Sequence, residues 1–200
     1  TCKISSGGGT TQLLDELMES GFISSYIPFG KNSKDVVYKL TDEYSLFYLK
    51  FIEYSRSNGK GTWLKLSRES KWKSWSGNAF ESICLKHTQQ IKKALGIEGV
   101  YTETSGWRYN SKKGEKGAQI DLLIDRQDFC INICEMKFSV NEFTVDKNYA
   151  GELENKVSVF KSQTKTTKTI FLTLVTTFGI KKNEHATRLI QNEITMDALF

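Results

Sequence analysis

The feature that most constrains the fold is a pair of apolar segments, residues 118–125 and 129–137, which only three residues separate. Both segments have the length and the apolar content of β-strands. So short a connection joins antiparallel neighbours, because a parallel pair needs a long crossover between its strands. The sequence therefore predicts a hairpin in which these two strands pair side by side.

Helical and strand patterns on both sides of this hairpin complete a regular order. Residues 78–95 and 147–164 carry apolar side chains at helical spacing, whereas residues 100–107 and 168–176 have strand patterns. The predicted order over residues 77–176 is α-β-β-β-α-β, which places the domain in the α/β class.

The hairpin carries charged residues at positions where strands are usually apolar. Asp121 lies inside the first segment, and burying an unpaired carboxylate there would be costly. Glu135 and Lys137 end the second segment, where a spacing of two puts both side chains on the same sheet face. Two neighbouring carboxylates oppose each other's ionisation unless a cation lies between them, and carboxylate oxygens suit Mg²⁺ or Mn²⁺.

Such a pair of acids has a use in phosphodiester hydrolysis. A metal ion held by Asp121 and Glu135 would polarise the phosphate and lower the pKa of a bound water. Lys137 would orient that water or stabilise the charge of the transition state, and Glu81 on the first helix could complete the metal shell. A structural salt bridge is the alternative, because acidic and basic residues pair across strands routinely.

The element order and the acidic residues resemble those of the PD-(D/E)XK nuclease superfamily. The residues that carry this resemblance are Glu81, Asp121, Glu135, Met136 and Lys137. Ile120 stands where the family motif has proline, which is a common variation. The resemblance implies a restriction-endonuclease-like core with a central mixed sheet flanked by helices. It also implies DNA as the substrate and Mg²⁺ or Mn²⁺ as the cofactor, held by Asp121, Glu135 and Glu81.

One branch of that superfamily is more similar still, namely the C-terminal part of archaeal-type P-loop ATPases of prokaryotes. The stretches that carry this similarity are residues 77–81, 117–126, 134–138 and 191–200. The similarity implies an ATPase domain before residue 1 as a partner within the same protein, so that ATP would act only through that domain. These 200 residues contain no Gly-x-x-x-x-Gly-Lys-Ser/Thr sequence of their own.

The similarity also suggests how the chain is divided. The predicted parts are a partial winged helix with a connecting aromatic helix over residues 1–55, a linker over 56–76, and the nuclease-like domain over 77–200. A helix at residues 10–20 and strands at 22–27 and 35–40 match the second half of a winged helix, or equally a generic helix-plus-hairpin module. The helix is acidic, which favours a contact with protein over insertion into DNA. The aromatic residues of the segment 42–52 are expected to pack between modules.

Further residues are candidates for contacts with DNA or for packing. Lys156 lies on one stripe of the second helix, where related nucleases place a basic residue near the scissile phosphate; a surface lysine is the alternative. The loop before the hairpin is basic and could reach phosphate or form a solvated tip. Its charged residues are Arg108, Lys112, Lys113 and Lys116. Gln119 is expected on the sheet face opposite Asp121, with a packing role.

Bulk properties restrict the setting of the protein. The net charge of +5 is compatible with nucleic acid, but many solvated surfaces have such a charge. No apolar run approaches the roughly 20 residues of a membrane helix, so we expect no membrane association. The four cysteines form no close pair, and they are expected to be reduced thiols in a cytoplasmic protein.

Overall fold

The computed structural model describes residues 7–53, 61–111 and 116–200. Within these ranges the chain forms seven α-helices and seven β-strands. The helices are α1 (Gly8–Glu19), α2 (Glu43–Phe47), α3 (Thr62–Leu66), α4 (Ser70–Lys86), α5 (Thr88–Ala94), α6 (Lys147–Thr164) and α7 (Glu184–Leu189). The strands are β1 (Ile23–Tyr26), β2 (Val37–Leu40), β3 (Thr102–Tyr109), β4 (Ala118–Arg126), β5 (Cys130–Lys137), β6 (Thr169–Thr176) and β7 (Asn192–Thr195).

The strands form two sheets. The first sheet is the antiparallel pair β1-β2, and the second has five strands in the order β3-β4-β5-β6-β7. In the second sheet, β3, β4 and β5 are antiparallel neighbours, whereas β6 and β7 join in parallel. The predicted hairpin is confirmed, with Leu122 opposite Cys134. The chain is a mixed α/β protein, and its mixed sheet is flanked by helices.

Helix α6 is the crossover that makes the parallel pair of β5 and β6 possible. Asp146 caps its first turn by accepting a hydrogen bond from the Tyr149 backbone at 2.8 Å. Its buried side chains Leu153 and Phe160 pack on one side of the sheet, which we call the α6 face. This burial of an apolar stripe is what holds the helix against the strands.

The opposite side of the sheet, which we call the α4 face, is covered by α4 and α5. Phe80 and Cys84 of α4 and Ile91 of α5 pack there against apolar side chains of the central strands. Those side chains are Leu122, Ile124, Cys134 and Val175. The alternation of side chains along β4 and β5 therefore supplies both cores from the same strands.

The N-terminal hairpin β1-β2 is attached to the edge of the large sheet. The backbone N–H of Phe29 donates a hydrogen bond to the carbonyl of Gly106 in β3 at 2.8 Å. The Phe29 ring lies 5.5 Å from that of Phe160, measured between centroids. Gly106 allows the close approach of the hairpin, since a Cβ at that position would lie 3.0 Å from Cε2 of Tyr26.

An aromatic cluster connects the segment after the hairpin to α3 and α4. Phe47 and Phe51 contact the ring of Trp75 at centroid distances of 5.4 Å and 6.1 Å. Trp72 stacks on Trp75 at 4.8 Å, and Trp63 meets Trp72 edge to face at 4.9 Å. Phe47 and Phe51 therefore pack against other aromatic rings, as expected, while the division of the chain into modules stays a prediction. Its two tyrosines, Tyr44 and Tyr48, are exposed.

The helix before the large sheet differs from the prediction, and the tail contains elements that were not predicted. The predicted helix over residues 78–95 is two helices, because the chain breaks at His87 and the Thr88 hydroxyl donates to the Leu85 carbonyl at 2.8 Å. Helix α4 also begins at Ser70, eight residues earlier than predicted. The tail adds α7 and β7, whose short patterns are too weak to read alone, and Ile194 of β7 is buried against the α4 face.

The described cysteines are free thiols, as expected, and Cys2 lies outside the described residues. No helix in the described part of the chain has the length and apolar character needed to cross a bilayer. Cys84 and Cys134 are fully buried, and burial raises the pKa of each thiol to about 12. Cys130 is only partly buried.

These environments predict different reactivities for the thiols. In a Cys2→Ser variant at pH 8, Cys130 should react with a thiol reagent within minutes, whereas Cys84 and Cys134 should react only after unfolding. With a pKa of about 12, roughly one buried thiol in 10⁴ is a thiolate at that pH, and burial also excludes the reagent. Time courses in buffer and in denaturant would check this, and fast reaction of three thiols in the folded protein would contradict it.

Candidate functional site

Strands β4 and β5 bring the two predicted acids to neighbouring positions. Their antiparallel register places Leu122 opposite Cys134, so that Asp121 and Glu135 lie one step further along the same pair of strands. Asp121 also lies at a β-bulge, where Asp121 and Leu122 together face the single residue Gly106 of β3. A bulge changes the direction of a side chain, and this one acts on the residue predicted to bind metal.

Glu135 is a buried carboxylate with a lysine partner. Its side chain is 3% exposed, and Lys156 Nζ donates to its Oε1 at 2.6 Å. Burial raises the pKa of Glu135, the charges of Lys156 and Lys137 oppose that change, and the charge of Asp121 adds to it. The two acids are therefore close enough to interact electrostatically. A cation between them would reduce the repulsion between their negative charges.

Lys137 lies on the α6 face with Glu135. Its Nζ is 4.9 Å from the centroid of the Tyr149 ring, a cation-π contact with the first turn of α6. Burial raises the pKa of the Tyr149 hydroxyl well above its ordinary value, and the nearby charge of Glu135 adds to this effect. Tyr149 therefore remains a neutral phenol beside Glu135 and helps to position Lys137.

Gln119 contributes to the site in a way that the sequence interpretation missed. Its Nε2 donates to Asp121 Oδ1 at 2.7 Å, so the expectation of an opposite face and a packing role was wrong. Residues two apart in a strand share a face, and that rule would have placed Gln119 beside Asp121. The amide holds the Asp121 carboxylate in one orientation.

Glu81 is placed differently from the other predicted residues. It forms an ion pair with Lys39 of β2, across the gap between α4 and the N-terminal hairpin. Within residues 7–53, 61–111 and 116–200, no three His, Cys, Asp or Glu side chains lie close enough to form a metal-ligand group. Glu81 is thus engaged with Lys39 in this structure, and its role in binding metal stays a prediction.

Comparison of the chain with protein-family models, with curated proteins and with solved structures finds no match. The function of the chain is therefore inferred from the residues of the site and from the side chains around them.

A groove lined by three lysines and by one glutamate, Glu152, runs beside the site. Lys116, at the end of the loop before β4, shares this groove with Lys147 and Lys156 of α6. The groove is also lined by three residues whose side-chain amides could donate hydrogen bonds, namely Gln119, Asn148 and Asn155. Lys147 was not singled out from the sequence, although it opens the same helix that carries Lys156.

The other predicted DNA contacts are only partly described. Arg108 lines a shallow depression next to the groove, with Gln119 in common between the two. Lys112 and Lys113 lie outside the described residues. Of the predicted basic residues that the structure describes, Lys156 is the one with a hydrogen bond to a predicted catalytic residue, Glu135.

Proposed function

We propose that this chain is a Mg²⁺-dependent nuclease domain of the PD-(D/E)XK type that hydrolyses phosphodiester bonds of DNA. The observation that carries the proposal is the buried carboxylate of Glu135, set beside Asp121 on the adjacent strand and between two lysines. An acid whose pKa is shifted by burial and by charged neighbours is typical of a functional site. The α-β-β-β-α-β order around them supports the same assignment.

The donor set fits a hard divalent cation. Asp121 and Glu135 offer carboxylate oxygens, which Mg²⁺ and Mn²⁺ prefer, and the charge of Asp121 helps to raise the pKa of Glu135. A Mg²⁺ ion held by these two residues would polarise the scissile phosphate and lower the pKa of a bound water. Glu81 would join them once its contact with Lys39 is released.

The residues of the chain have separate roles in this proposal. Gln119 orients the Asp121 carboxylate. Lys137, held over the Tyr149 ring, would supply positive charge where the pentacoordinate transition state of the phosphate develops negative charge. Lys156 forms an ion pair with Glu135 in the free protein, and in the complex it would transfer its hydrogen bond from Glu135 to a phosphate oxygen.

One observation favours a second candidate function. The hydrogen bond from Lys156 already satisfies Glu135 without a metal ion. The site could thus be a structural ion pair in a nuclease-like module that binds DNA through the groove with Lys116 and Lys147, or binds a protein partner, without cleavage. Binding to DNA would then fall steeply with salt, while the DNA stays intact.

The larger setting that we propose is the C-terminal part of an archaeal-type P-loop ATPase. This proposal rests on the sequence resemblance of residues 77–81, 117–126, 134–138 and 191–200. The ATPase domain of the same protein would be the main partner, and ATP would be bound there.

The decisive experiment is a cleavage assay over metal ions and forms of DNA. Supercoiled plasmid, linear duplex and single-stranded DNA are incubated with Mg²⁺, Mn²⁺ or Ca²⁺, with EDTA as the control. We expect cleavage with Mg²⁺ and Mn²⁺ that EDTA abolishes. If every form of DNA is bound but left intact under all conditions, the non-catalytic function is the correct one.

Metal binding can be tested separately from cleavage. A ligand present at about 100 times its Kd stabilises the folded state by roughly 2.7 kcal/mol, which for a chain of this size is a rise in Tm of roughly 5–10 °C. We expect Mn²⁺ to raise the Tm of the wild type and not of Asp121→Asn. Asp125→Asn, in the same strand but paired with Lys168, should keep the full shift. Equal shifts in all three proteins would exclude Asp121 as a ligand.

A further inference from the structure

A second concave surface lies directly beside Asp121. It is a pocket of about 350 Å³ between the hairpin β1-β2 and the strands β3 and β4. Tyr26, Tyr38 and Lys39 form its wall on the hairpin side, and Gln119 and Asp121 belong to its wall on the sheet side. The pocket therefore adjoins the site proposed for phosphodiester hydrolysis, and the N-terminal hairpin supplies six of the fourteen described residues that line it.

The lining of this pocket suits a neutral, planar and polar ligand. Seven of the fourteen described residues that line it carry a hydroxyl group, namely Ser24, Ser25, Tyr26, Tyr38, Thr88, Thr104 and Ser105. Among the described residues that line the pocket, Lys39 is the single lysine, and it forms an ion pair with Glu81 in this structure. Leu85 and Leu122 supply an apolar surface, and the Gln119 amide supplies a donor and an acceptor.

The tyrosines are positioned for stacking. Tyr26 and Tyr38 are 38% and 41% exposed, so each presents ring surface that the protein itself leaves uncovered. The hydrogen bond from Phe29 to Gly106 and the close approach of Tyr26 to Gly106 hold the hairpin in this position. Aromatic rings beside an array of hydrogen-bonding groups are how proteins recognise an unstacked nucleobase.

We propose that this pocket binds an unpaired nucleobase next to the scissile phosphate. A base inside a duplex is stacked and paired, so it cannot enter a pocket walled by the hairpin without being flipped out. The inference rests on the proposed nuclease function and adds the class of substrate. That class is single-stranded DNA, or DNA with frayed ends or unpaired nucleotides, rather than intact duplex.

The test compares binding of matched single-stranded and duplex oligonucleotides with Ca²⁺ in place of Mg²⁺, so that binding is read without cleavage. We expect the single strand to bind at least about tenfold more tightly than the duplex. Tyr38→Ala should weaken single-strand binding about tenfold, since stacking on one aromatic ring contributes roughly that much per base. Tyr44→Ala removes a tyrosine that is 68% exposed outside the pocket, and it should change binding less than twofold.

A second variant guards against a folding defect in Tyr38→Ala. Thr104 is an exposed lining residue, so Thr104→Trp should fill the pocket without disturbing a core, and it too should weaken single-strand binding. Equal affinity of the wild type for duplex and single strand, or equal affinity of Tyr38→Ala and Tyr44→Ala for the single strand, would overturn the inference.

Cleavage of the same oligonucleotides with Mg²⁺ is measured in parallel. Tyr38-dependent binding without any cleavage would overturn the nuclease proposal and support the pocket.

Discussion

Asp121→Asn should abolish Mg²⁺-dependent cleavage of DNA, with a loss of rate on the order of 10³-fold or more. The change keeps the size of the side chain and its contact with Gln119, but it removes the negative charge that the metal ion needs. It also removes one of the charges that raise the pKa of Glu135, so the carboxyl of Glu135 should ionise more readily in the variant. Initial rates of cleavage at saturating Mg²⁺ are the measurement.

Asp125→Asn is the matched control for that loss. It makes the same substitution four residues further along β4, where the carboxylate pairs with Lys168 instead of facing the site. We expect its cleavage rate to stay within a factor of two or three of the wild type. Equal rates for wild type and Asp121→Asn, with every metal and every form of DNA, would contradict the catalytic proposal.

Phe160→Ala should destabilise the fold by about 3–5 kcal/mol, the usual cost of removing a fully buried phenylalanine. The ring has no exposed surface, and it contacts Trp107 of β3 edge to face at 5.1 Å and Phe29 at 5.5 Å. The loss therefore affects α6, the edge of the sheet and the attachment of the hairpin together. Urea denaturation followed by tryptophan fluorescence would measure it, and the Tm should fall by roughly 6–20 °C.

Phe178→Ala provides the comparison for this stability change. Its ring is 57% exposed, so the same truncation should change the free energy of unfolding by less than about 0.5 kcal/mol. A cost near that value for Phe160→Ala would mean that the ring is not part of a tightly packed core. The contact between α6 and the hairpin would then need another explanation.

Much of the large sheet followed from local patterns in the sequence. The short connection between β4 and β5 required an antiparallel pair, and the apolar spacing of residues 147–164 required a helix that could bridge β5 and β6. Such patterns are visible in the sequence because they repeat over a few residues with the period of a helix or a strand. The position of Asp121 beside Glu135 followed in the same way from the pairing of two neighbouring strands.

The rest of the site depended on contacts between distant segments. Lys156 reaches Glu135 only because α6 packs across β4 and β5, and Glu81 meets Lys39 only because the N-terminal hairpin docks beside α4. The bulge at Asp121 arises from the pairing of β4 with β3, since the irregularity lies in their register. The sequence by itself thus determined which strands pair and which acids adjoin, because those features are local. Tertiary structure alone decided which lysine neutralises which acid and which surface faces the pocket, because those contacts join segments far apart in the chain.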